Sequence, residues 1–419
     1  MGMDANMPCL TAKPIRWIVS QIGARQHYGV PRGFHYKGHL RLFYTDAWCR
    51  WGSRQMKQGS ARFRAFAGRF HPDLPSDRVV SFTTDALRAK VTQGARSTTE
   101  DAYLHHLSIG ADFARNVNRH LMRQNLDPAV DCFFGFDTGC LETLQLLRER
   151  NLRTVVDQID PARVEEDLVK REIEKWPGWQ RVPGRIPEEY YDRLSAEWQA
   201  ASLVIVNSNW SKNALIAQGV PQQKLIVTPV AFEPASEPSP PRAVRTGPLT
   251  VLWLGTVNLR KGIQYLMEAA RLLTGTDLKF IVAGPIAISD SAVRSAPANL
   301  KFVGKVSRDE TRRWYRAADI FVLPTISDGF AITQIEAMAE GLPVVTTPNC
   351  GEVVTHGVDG VIVPAGDSEA LARALGTLNH HRDVLAEMSY YAVRKSRTFH
   401  LPRQADEIER ATLSLLREM

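Results

Sequence analysis

The 419-residue sequence lacks any apolar run close to the roughly 20 residues that a membrane-spanning helix needs. Its longest apolar stretches, such as 203–206 and 320–323, are far shorter. The amino terminus also lacks the apolar core of a secretory signal, so we expect a cytoplasmic protein. With 44% hydrophobic and 23% charged residues, the composition is that of a globular protein of two to three domains and excludes disordered and fibrous classes.

Cysteine is scarce and scattered. The five residues stand at positions 9, 49, 132, 140 and 350 and form no Cys-x-x-Cys pair. Such a set is typical of a reducing compartment rather than of a disulfide framework. Neither pair of adjacent histidines, 105–106 or 380–381, lies beside a cysteine, so we expect no structural metal.

Positive charge is concentrated at the front of the chain. Residues 1–100 contain 16 Lys and Arg against 6 Asp and Glu, while the whole chain has a net charge of +7. Segment 53–70 interleaves five of these cations with three phenylalanines. It is either a solvated surface whose phenylalanines join the core, or a contact with an anionic membrane surface. Nucleic acid is not expected as a partner, because no nucleic-acid-binding motif accompanies the charge.

A proline-rich break divides the chain. Residues 233–248 hold five prolines and almost no large apolar side chain, which is typical of an interdomain linker. On both sides β-rich runs alternate with helical stretches, which predicts α/β domains with parallel sheets. One helix is predicted from about Ser97, with a capping box to Glu100. The predicted strands are 16–20, 79–84, 132–136, 154–158, 203–208 and 224–229 before the break, and 249–255, 278–284, 300–304, 319–325, 343–347 and 360–364 after it.

Two motifs follow predicted strands of the second half, where doubly wound sheets bind ligands. The first is GTVNLRKG (255–262), in which Arg260 and Lys261 precede a helix and form a candidate diphosphate cradle. The alternative is a solvated pair of cations. It is not a Walker loop, because it lacks the G-x-x-x-x-G-K-[ST] pattern.

The second motif is SDGFAITQIEAMAEGLPVVTT (327–347). Asp328 lies at the strand-to-helix turn, and Glu336 follows in an otherwise apolar helix, where a carboxylate needs a partner. Adjacent ribose hydroxyls are one such partner, and a salt bridge or a surface position is the alternative. Residues 329–331 begin the helix, so free N–H groups are expected to face a sugar or phosphate there.

Three further segments complete the pattern, namely VAGP (282–285), FVGKVS (302–307) and CGEVVTHGVDGVIVPAGD (350–367). In this order the motifs resemble the nucleotide-sugar-binding half of retaining GT-B glycosyltransferases, in particular glycosyltransferase family 4, most strongly over 203–377. The resemblance implies an α/β protein with two Rossmann-like parallel-sheet domains facing each other across a cleft. Its expected parts are an acceptor-binding domain (1–232), the linker (233–248), a nucleotide-sugar-binding domain (249–390) and a helical segment (391–419), for which packing on the first domain is one option.

The resemblance also implies roles for the motif residues. Arg260 and Lys261 would neutralise the diphosphate of the donor, Glu336 would hold its ribose, and Asp328 would reach hydroxyls of the transferred sugar. Asp328 stands where the family commonly has Glu, and this departure leaves donor identity open. Thr256 stands where an Arg often follows the first glycine, which favours Arg260 as the guanidinium that contacts the donor. The other expected donor contacts are Gly255, Val306 (to the nucleobase), Gly329, Phe330 and Ala331.

The acceptor site is expected in the first half. Within the loop GARQHYGVPRG (23–33), His27 and Arg32 are candidates to bind an acceptor hydroxyl or phosphate, and Asp137 follows another strand. For each, a local structural role is the alternative. Trp176 and Trp179 either stack on sugar rings or pack in the core or between domains.

The activity implied by the resemblance is hexosyl transfer from a nucleoside-diphosphate-sugar to an acceptor hydroxyl, with retained configuration, in polysaccharide or glycolipid biosynthesis. The acceptor would be a glycan, a lipid-linked molecule or a small molecule. A peripheral position at the inner membrane face is one option, with which the basic front of the chain is compatible. No metal or cofactor is expected beyond the donor co-substrate. The alternative is a catalytically silent, glycosyltransferase-like binding subunit. An NAD-linked dehydrogenase is disfavoured, because no G-x-G-x-x-G follows the first strand of either half.

Overall fold

The computed structural model describes residues 15–50, 68–84, 98–181, 184–233, 239–243 and 246–418. Most of the basic segment 53–70, with the membrane contact proposed for it, therefore lies outside the described residues. Its described end is packed on the first domain. Arg69 pairs with Asp46 at 2.9 Å, and the ring of Phe70 lies 5.2 Å from that of Trp48.

The strands form two parallel sheets. The first contains β1 (Arg16–Gln21), β2 (Leu40–Thr45), β3 (Val79–Ser81), β4 (Asp131–Phe136), β5 (Arg153–Gln158), β6 (Leu203–Val206) and β7 (Leu225–Val227), in the order β3-β2-β1-β4-β5-β6-β7. The second contains β8 (Leu249–Leu254), β9 (Leu278–Ala283), β10 (Leu300–Gly304), β11 (Ile320–Leu323), β12 (Val344–Thr346) and β13 (Gly360–Ile362), in the order β10-β9-β8-β11-β12-β13. The prediction of two parallel α/β sheets is confirmed.

Helices cover both sheets. They are α1 (Gly29–Tyr36), α2 (Thr99–Leu121), α3 (Leu141–Glu149), α4 (Arg163–Lys175), α5 (Glu188–Ala200), α6 (Asn209–Ala217), α7 (Ile263–Leu272), α8 (Asp290–Arg294), α9 (Arg308–Ala317), α10 (Thr333–Ala339), α11 (Ser368–His380), α12 (Arg382–Ser396) and α13 (Leu401–Glu418). Within the described ranges, no helix is both long enough and apolar enough to cross a membrane.

Strand sequences show why these segments lie at the centre of each domain. Every residue of β4, β6 and β11 is buried, because helices cover both faces of a parallel sheet. Each sheet reverses its strand order once, between β1 and β4 in the first and between β8 and β11 in the second. The loops after these four strands carry His27, Asp137, Arg260, Lys261 and Asp328. This position is where doubly wound sheets bind ligands.

The two domains are joined by an aromatic contact that follows α4. Trp176 packs edge-on against Trp179 (4.9 Å between ring centres) and against Tyr265 of α7 (5.9 Å). Lys175 Nζ donates a hydrogen bond to the Tyr265 hydroxyl at 2.8 Å, and the Ser289 N–H donates to the Trp179 carbonyl at 2.6 Å. Of the two readings of these tryptophans, packing between domains is the one the structure shows.

The last helix returns to the first domain. Leu401 and Ala405 of α13 pack against Gly33 of α1, where an added Cβ would lie 3.0 Å from the Leu401 carbonyl oxygen. Further along, Glu409 accepts a hydrogen bond from Trp17 Nε1 at 3.1 Å. The chain therefore crosses between domains a second time, just before α13.

The two crossings lie side by side. The Phe232 N–H, at the end of the first domain, donates to the Phe399 carbonyl at 2.6 Å. Phe399 is buried against Phe330, with 6.2 Å between ring centres. We call this paired segment around Phe232 and Phe399 the neck.

One predicted helix start is corrected. The helix expected from Ser97 begins at Thr99, and the cap is Thr98, whose side-chain oxygen accepts a hydrogen bond from the Asp101 N–H at 3.1 Å. The cap was predicted one residue too early, which is a small error because serine and threonine are both good helix caps.

Candidate functional site

The turn after β8 and the segment after β11 are held together as one unit. Gly262 has φ of 80°, and an added Cβ would lie 1.8 Å from the Pro324 carbonyl oxygen, so only glycine fits this approach. The Arg260 carbonyl accepts hydrogen bonds from the Ile326 N–H (2.8 Å) and the Thr325 hydroxyl (3.1 Å). These contacts place Arg260 and Lys261 next to Asp328.

Two cations meet two carboxylates here, one from each domain. Lys261 forms an ion pair with Asp328. Arg260 Nη1 lies 3.2 Å from Glu165 Oε2 at the start of α4, 3.8 Å from Asp328 Oδ2, and 3.1 Å from the Ser327 carbonyl oxygen. The Ser327 hydroxyl also donates to Glu165 at 3.0 Å. Glu165 was not predicted as a site residue, because it lies in the other domain and no sequence motif surrounds it.

Burial changes the titration of this cluster. Burial, followed by the positive charge of Arg260, lowers the pKa of Lys261 to about 7, although the Glu165 carboxylate acts in the opposite direction. Burial also raises the pKa of Glu165, against the effect of Arg260. A diphosphate placed beside Lys261 would stabilise the protonated form of the lysine, so binding of such an anion would be accompanied by proton uptake by Lys261 near neutral pH.

Asp328 caps the turn that follows it. Its Oδ1 accepts hydrogen bonds from the N–H groups of Phe330 (3.3 Å) and Ala331 (3.1 Å). The prediction that these N–H groups are free for a ligand is therefore wrong, because the preceding carboxylate already binds them. The Phe330 side chain is also buried, in the core of the second domain.

Gly329 lies where the two domains meet. An added Cβ would lie 2.1 Å from the Ile159 carbonyl oxygen, just after β5. The Asn207 side chain, which donates to the same carbonyl at 2.6 Å, would lie 2.9 Å away. The glycine therefore allows the Asp328 turn to approach the strand ends of the first domain.

Glu336 is oriented by a buried tyrosine. The Tyr315 hydroxyl donates to Glu336 Oε2 at 2.9 Å, and Tyr315 itself is only 2% exposed. Burial raises the pKa of Glu336, while the Tyr315 hydrogen bond and then the positive charge of Arg308 lower it. The carboxylate is therefore held in place on the helix that follows the Asp328 turn. Tyr315 was missed in the sequence, since nothing in α9 marks one residue for this contact.

A cavity of about 250 Å³ lies between the strand ends of the two domains. Asp328, Phe330 and Ala331 line it from the second domain, and Arg25 and Asp157 line it from the first. Burial raises the pKa of Asp157 to about 6, against the positive charge of Arg25. The strand-end rule that selected Asp137 also applies to Asp157, so this residue could have been found from the sequence.

Of the three residues expected to bind the acceptor, His27 is exposed to solvent and Arg32 is buried. The His27 side chain is exposed overall, and its backbone φ is 47°. Partial burial of the ring, and then the positive charge of Arg308 in the other domain, lower the pKa of His27. The prediction that Arg32 binds an acceptor is wrong. It lies in α1, is 3% exposed, and pairs with Asp73 (2.7 Å) and Glu233 (2.5 Å).

Asp137, the third, lies behind the cleft. Its Oδ2 accepts a hydrogen bond from the Ile159 N–H at 3.4 Å, and its Oδ1 is 3.6 Å from Arg25. Burial raises the pKa of Asp137 to about 8, even though Arg25 acts to lower it. Direct contact with an acceptor is not supported, because the side chain is only 7% exposed.

The remaining expected donor contacts lie on the second-domain side of the site. Gly255 ends the β8 strand, where its N–H donates to the Ala283 carbonyl at 3.0 Å. Val306 is half-buried and packs against the same core cluster as Tyr315. In the part of the chain that the structure describes, no group of three or more His, Cys, Asp or Glu is arranged to hold a metal ion.

Comparison with known proteins identifies this second domain. Residues 248–381 match the family model for glycosyl transferases group 1. This domain is similar to the group 1 glycosyltransferases, and the family model does not extend over the first domain. The match contains Arg260, Lys261, Asp328 and Glu336, so the whole charged cluster except Glu165 lies inside it.

Curated relatives extend over part of the chain. The amylovoran biosynthesis glycosyltransferase AmsK of Erwinia amylovora is 32% identical over 203 residues, which cover 44% of this chain and 48% of AmsK. The lipopolysaccharide core biosynthesis mannosyltransferase LpsB of Rhizobium meliloti is 38% identical over 109 residues, covering 25% of this chain and 31% of LpsB. The matched segments thus span at most about half the length of these group 1 relatives.

Solved structures show that the architecture is GT-B. Sucrose-phosphate synthase from Thermosynechococcus elongatus matches with a TM-score of 0.64 and 16% identity, covering 97% of this chain and all of that one. HepE from Anabaena, solved with UDP, matches with a TM-score of 0.59 and 14% identity, covering 96% of this chain and all of that one. At these identities the likeness shows the fold alone. The predicted GT-B fold is confirmed.

Proposed function

We propose that this protein transfers a hexosyl group from a nucleoside-diphosphate-sugar to an acceptor hydroxyl, with retention of configuration. One observation carries the proposal: Arg260, Lys261 and Asp328 converge at the strand ends of the second domain. Asp328 lines the cavity between the two domains, and Arg260 contacts Glu165 of the first domain. Two adjacent cations beside a carboxylate suit a diphosphate joined to a hydroxyl-rich sugar.

Donor binding would replace contacts made inside the protein. The diphosphate would take Arg260 from Glu165 and Lys261 from Asp328, which frees Asp328 to accept sugar hydroxyls. Glu336, held by Tyr315, would accept hydrogen bonds from the ribose. In this arrangement the nucleobase lies toward Val306.

The reaction separates charge, and the protein's fixed cations lower the free-energy cost of that separation. The bond between the sugar C1 and the phosphate oxygen breaks, the acceptor oxygen bonds to C1 on the same face, and its proton passes to the departing phosphate oxygen. Arg260 and Lys261 stabilise the negative charge that develops on the diphosphate. Removal of one such preorganised donor lowers the rate about 10² to 10³-fold.

The relatives favour a role in glycan assembly. AmsK is named for amylovoran biosynthesis and LpsB for the lipopolysaccharide core, while HepE was solved with UDP and with UDP-glucose. We therefore propose a glycan, lipid-linked or small-molecule acceptor and take UDP as the first nucleotide to test.

The experiment uses the purified full chain. Thermal stabilisation by UDP, GDP, ADP and TDP identifies the nucleotide, since a ligand that binds the folded state raises the unfolding temperature. Donor hydrolysis or transfer is then measured with the matching nucleotide sugars. We expect Lys261→Ala to abolish the stabilisation and reduce turnover about 10² to 10³-fold.

Lys279→Ala is the matched control, because it removes an exposed lysine from β9 in the same domain. A Lys261→Ala variant as active as the parent would refute the assigned role. If nucleotides bind normally but neither hydrolysis nor transfer occurs with any donor, the silent binding subunit becomes the better description.

A further inference from the structure

A second cavity lies in the first domain beside the donor site. Its volume is about 570 Å³, and it is enclosed by α2, α4, α5 and the segment 184–186. Glu165 forms part of its wall, and the same carboxylate contacts Arg260 at 3.2 Å and the Ser327 hydroxyl at 3.0 Å. A molecule held in this cavity is therefore adjacent to the cations assigned to the diphosphate.

Three tyrosines line the cavity. The ring of Tyr190 lies 5.0 Å from that of Tyr103 and 5.3 Å from that of Tyr191, edge-on in both cases. The Tyr191 hydroxyl donates to Glu166 at 2.5 Å. Aromatic walls with a few polar groups are typical of small-molecule sites, and a volume of this size accommodates a short oligosaccharide.

The charge of the wall selects among such ligands. Four carboxylates line the cavity, those of Asp160, Glu165, Glu166 and Glu174, against the two cations Lys170 and Arg185. Glu166 is already paired with Lys170 at 2.9 Å. Glu165 contacts Arg260 at 3.2 Å, which leaves Asp160 and Glu174 against Arg185. This excess of negative charge opposes phosphate or carboxylate groups, while carboxylate oxygens accept hydrogen bonds from hydroxyls.

We propose that this cavity binds the acceptor, and that the end of the acceptor bound there is a neutral, hydroxyl-rich carbohydrate. The inference rests on the proposed function. The tyrosine rings pack against the C–H faces of the sugar. Asp160 and Glu165, nearest the donor site, accept its hydroxyl hydrogens, and the acidic wall excludes phosphorylated or carboxylated acceptors.

The test compares matched neutral and anionic sugars on the UDP-saturated full chain, with binding followed by saturation-transfer NMR. Lactose is paired with lactobionate, and trehalose with trehalose 6-phosphate. We expect at least one neutral sugar to bind about fivefold more tightly than its anionic partner. Glu174→Lys should remove that preference, whereas Glu149→Lys makes the same charge change on exposed α3, away from the cavity, and should preserve it.

The aromatic wall is tested separately. Tyr103→Leu should weaken the neutral sugar about tenfold, and Tyr103→Phe, which keeps the ring, should not. UDP binding serves as the check on folding and on the donor site. Normal UDP binding with equal or tighter binding of the anionic sugars, or with no binding of either kind, overturns this inference alone. Failure of the parent to bind any of UDP, GDP, ADP and TDP overturns the proposed function.

Discussion

At the scale of single residues, the site is defined by charged groups whose burial shifts their titration. Lys261, Glu165 and Glu336 in the donor site, and Asp137 and Asp157 opposite, all carry such shifts. Perturbed pKa values in a cleft are typical of functional sites, although structural ion pairs also produce them. Lys261 and Asp137 give two separate tests, one of nucleotide affinity and one of stability.

Lys261 predicts that nucleoside diphosphate binding takes up a proton. Its pKa is about 7 in the free protein and rises when the diphosphate binds, so affinity should fall as pH rises above 7. Calorimetry at pH 8 in two buffers of different ionisation enthalpy measures the protons taken up. We expect uptake by the parent and by Lys279→Met, and equal heats in both buffers for the parent would contradict the assignment.

Asp137 predicts how stability depends on pH. Burial raises its pKa in the folded protein well above the unfolded value of 3.8, so its contribution to stability is complete below pH 4 and is lost as the pH rises toward the folded pKa. Asp137→Asn imitates the protonated form and should remove a slope of up to about 1.4 kcal/mol per pH unit between pH 5 and 8.

Urea unfolding across that range measures the effect, with exposed Asp112→Asn as the control. A parallel pH dependence in the parent and Asp137→Asn would show that Asp137 is ionised in the folded protein.

At the scale of elements, a glycine at position 262 allows the turn after β8 to pack against the segment after β11. Gly262→Ala would press a Cβ against the Pro324 carbonyl at a φ of 80°, which should cost about 1 to 3 kcal/mol and weaken nucleotide binding. Gly376→Ala, inside α11 with its nearest neighbour at 3.7 Å, should instead stabilise the fold by about 0.5 to 1 kcal/mol. Urea unfolding measures the stability of both variants, and equal stabilities would contradict the close approach of Gly262 to the Pro324 carbonyl.

The elements were largely predictable from the sequence, because buried parallel strands are near-continuous apolar runs. Of the strands described, β2 was missed. Its Arg41 interrupts the apolar pattern, and the guanidinium pairs with Asp131 and the Asn125 carbonyl at the end of the sheet. Arg32 was misplaced for a related reason: a segment with three glycines and a proline predicts a loop, yet α1 begins at Gly29 and packing against α13 stabilises it.

At the scale of the whole molecule, contacts between distant segments could not be predicted from the sequence. Glu165 reaches Arg260 from 95 residues away, and Glu409 reaches Trp17 across 392. Local patterns predict elements and strand ends, but they contain no signal for which side chain of one domain enters the site of the other. The cavity of the first domain was missed for the same reason.

Glu409 predicts a long-range stability effect. It is 7% exposed and binds Trp17, His39 and Lys37, so Glu409→Ala leaves buried polar groups without their partner. We expect a loss of about 3 kcal/mol by urea unfolding and faster proteolysis just before α13. Arg410→Ala, on the exposed face of the same helix, should change neither, and similar proteolysis of both variants would argue against this anchor.

The neck fixes the two chain crossings to each other. Because they are hydrogen-bonded through Phe232 and Phe399, any movement that separates the two crossings must break that bond. Phe399 also packs against Phe330, two residues beyond Asp328. The connection between the domains is therefore continuous, through one aromatic contact, with the turn that holds the Asp328 carboxylate.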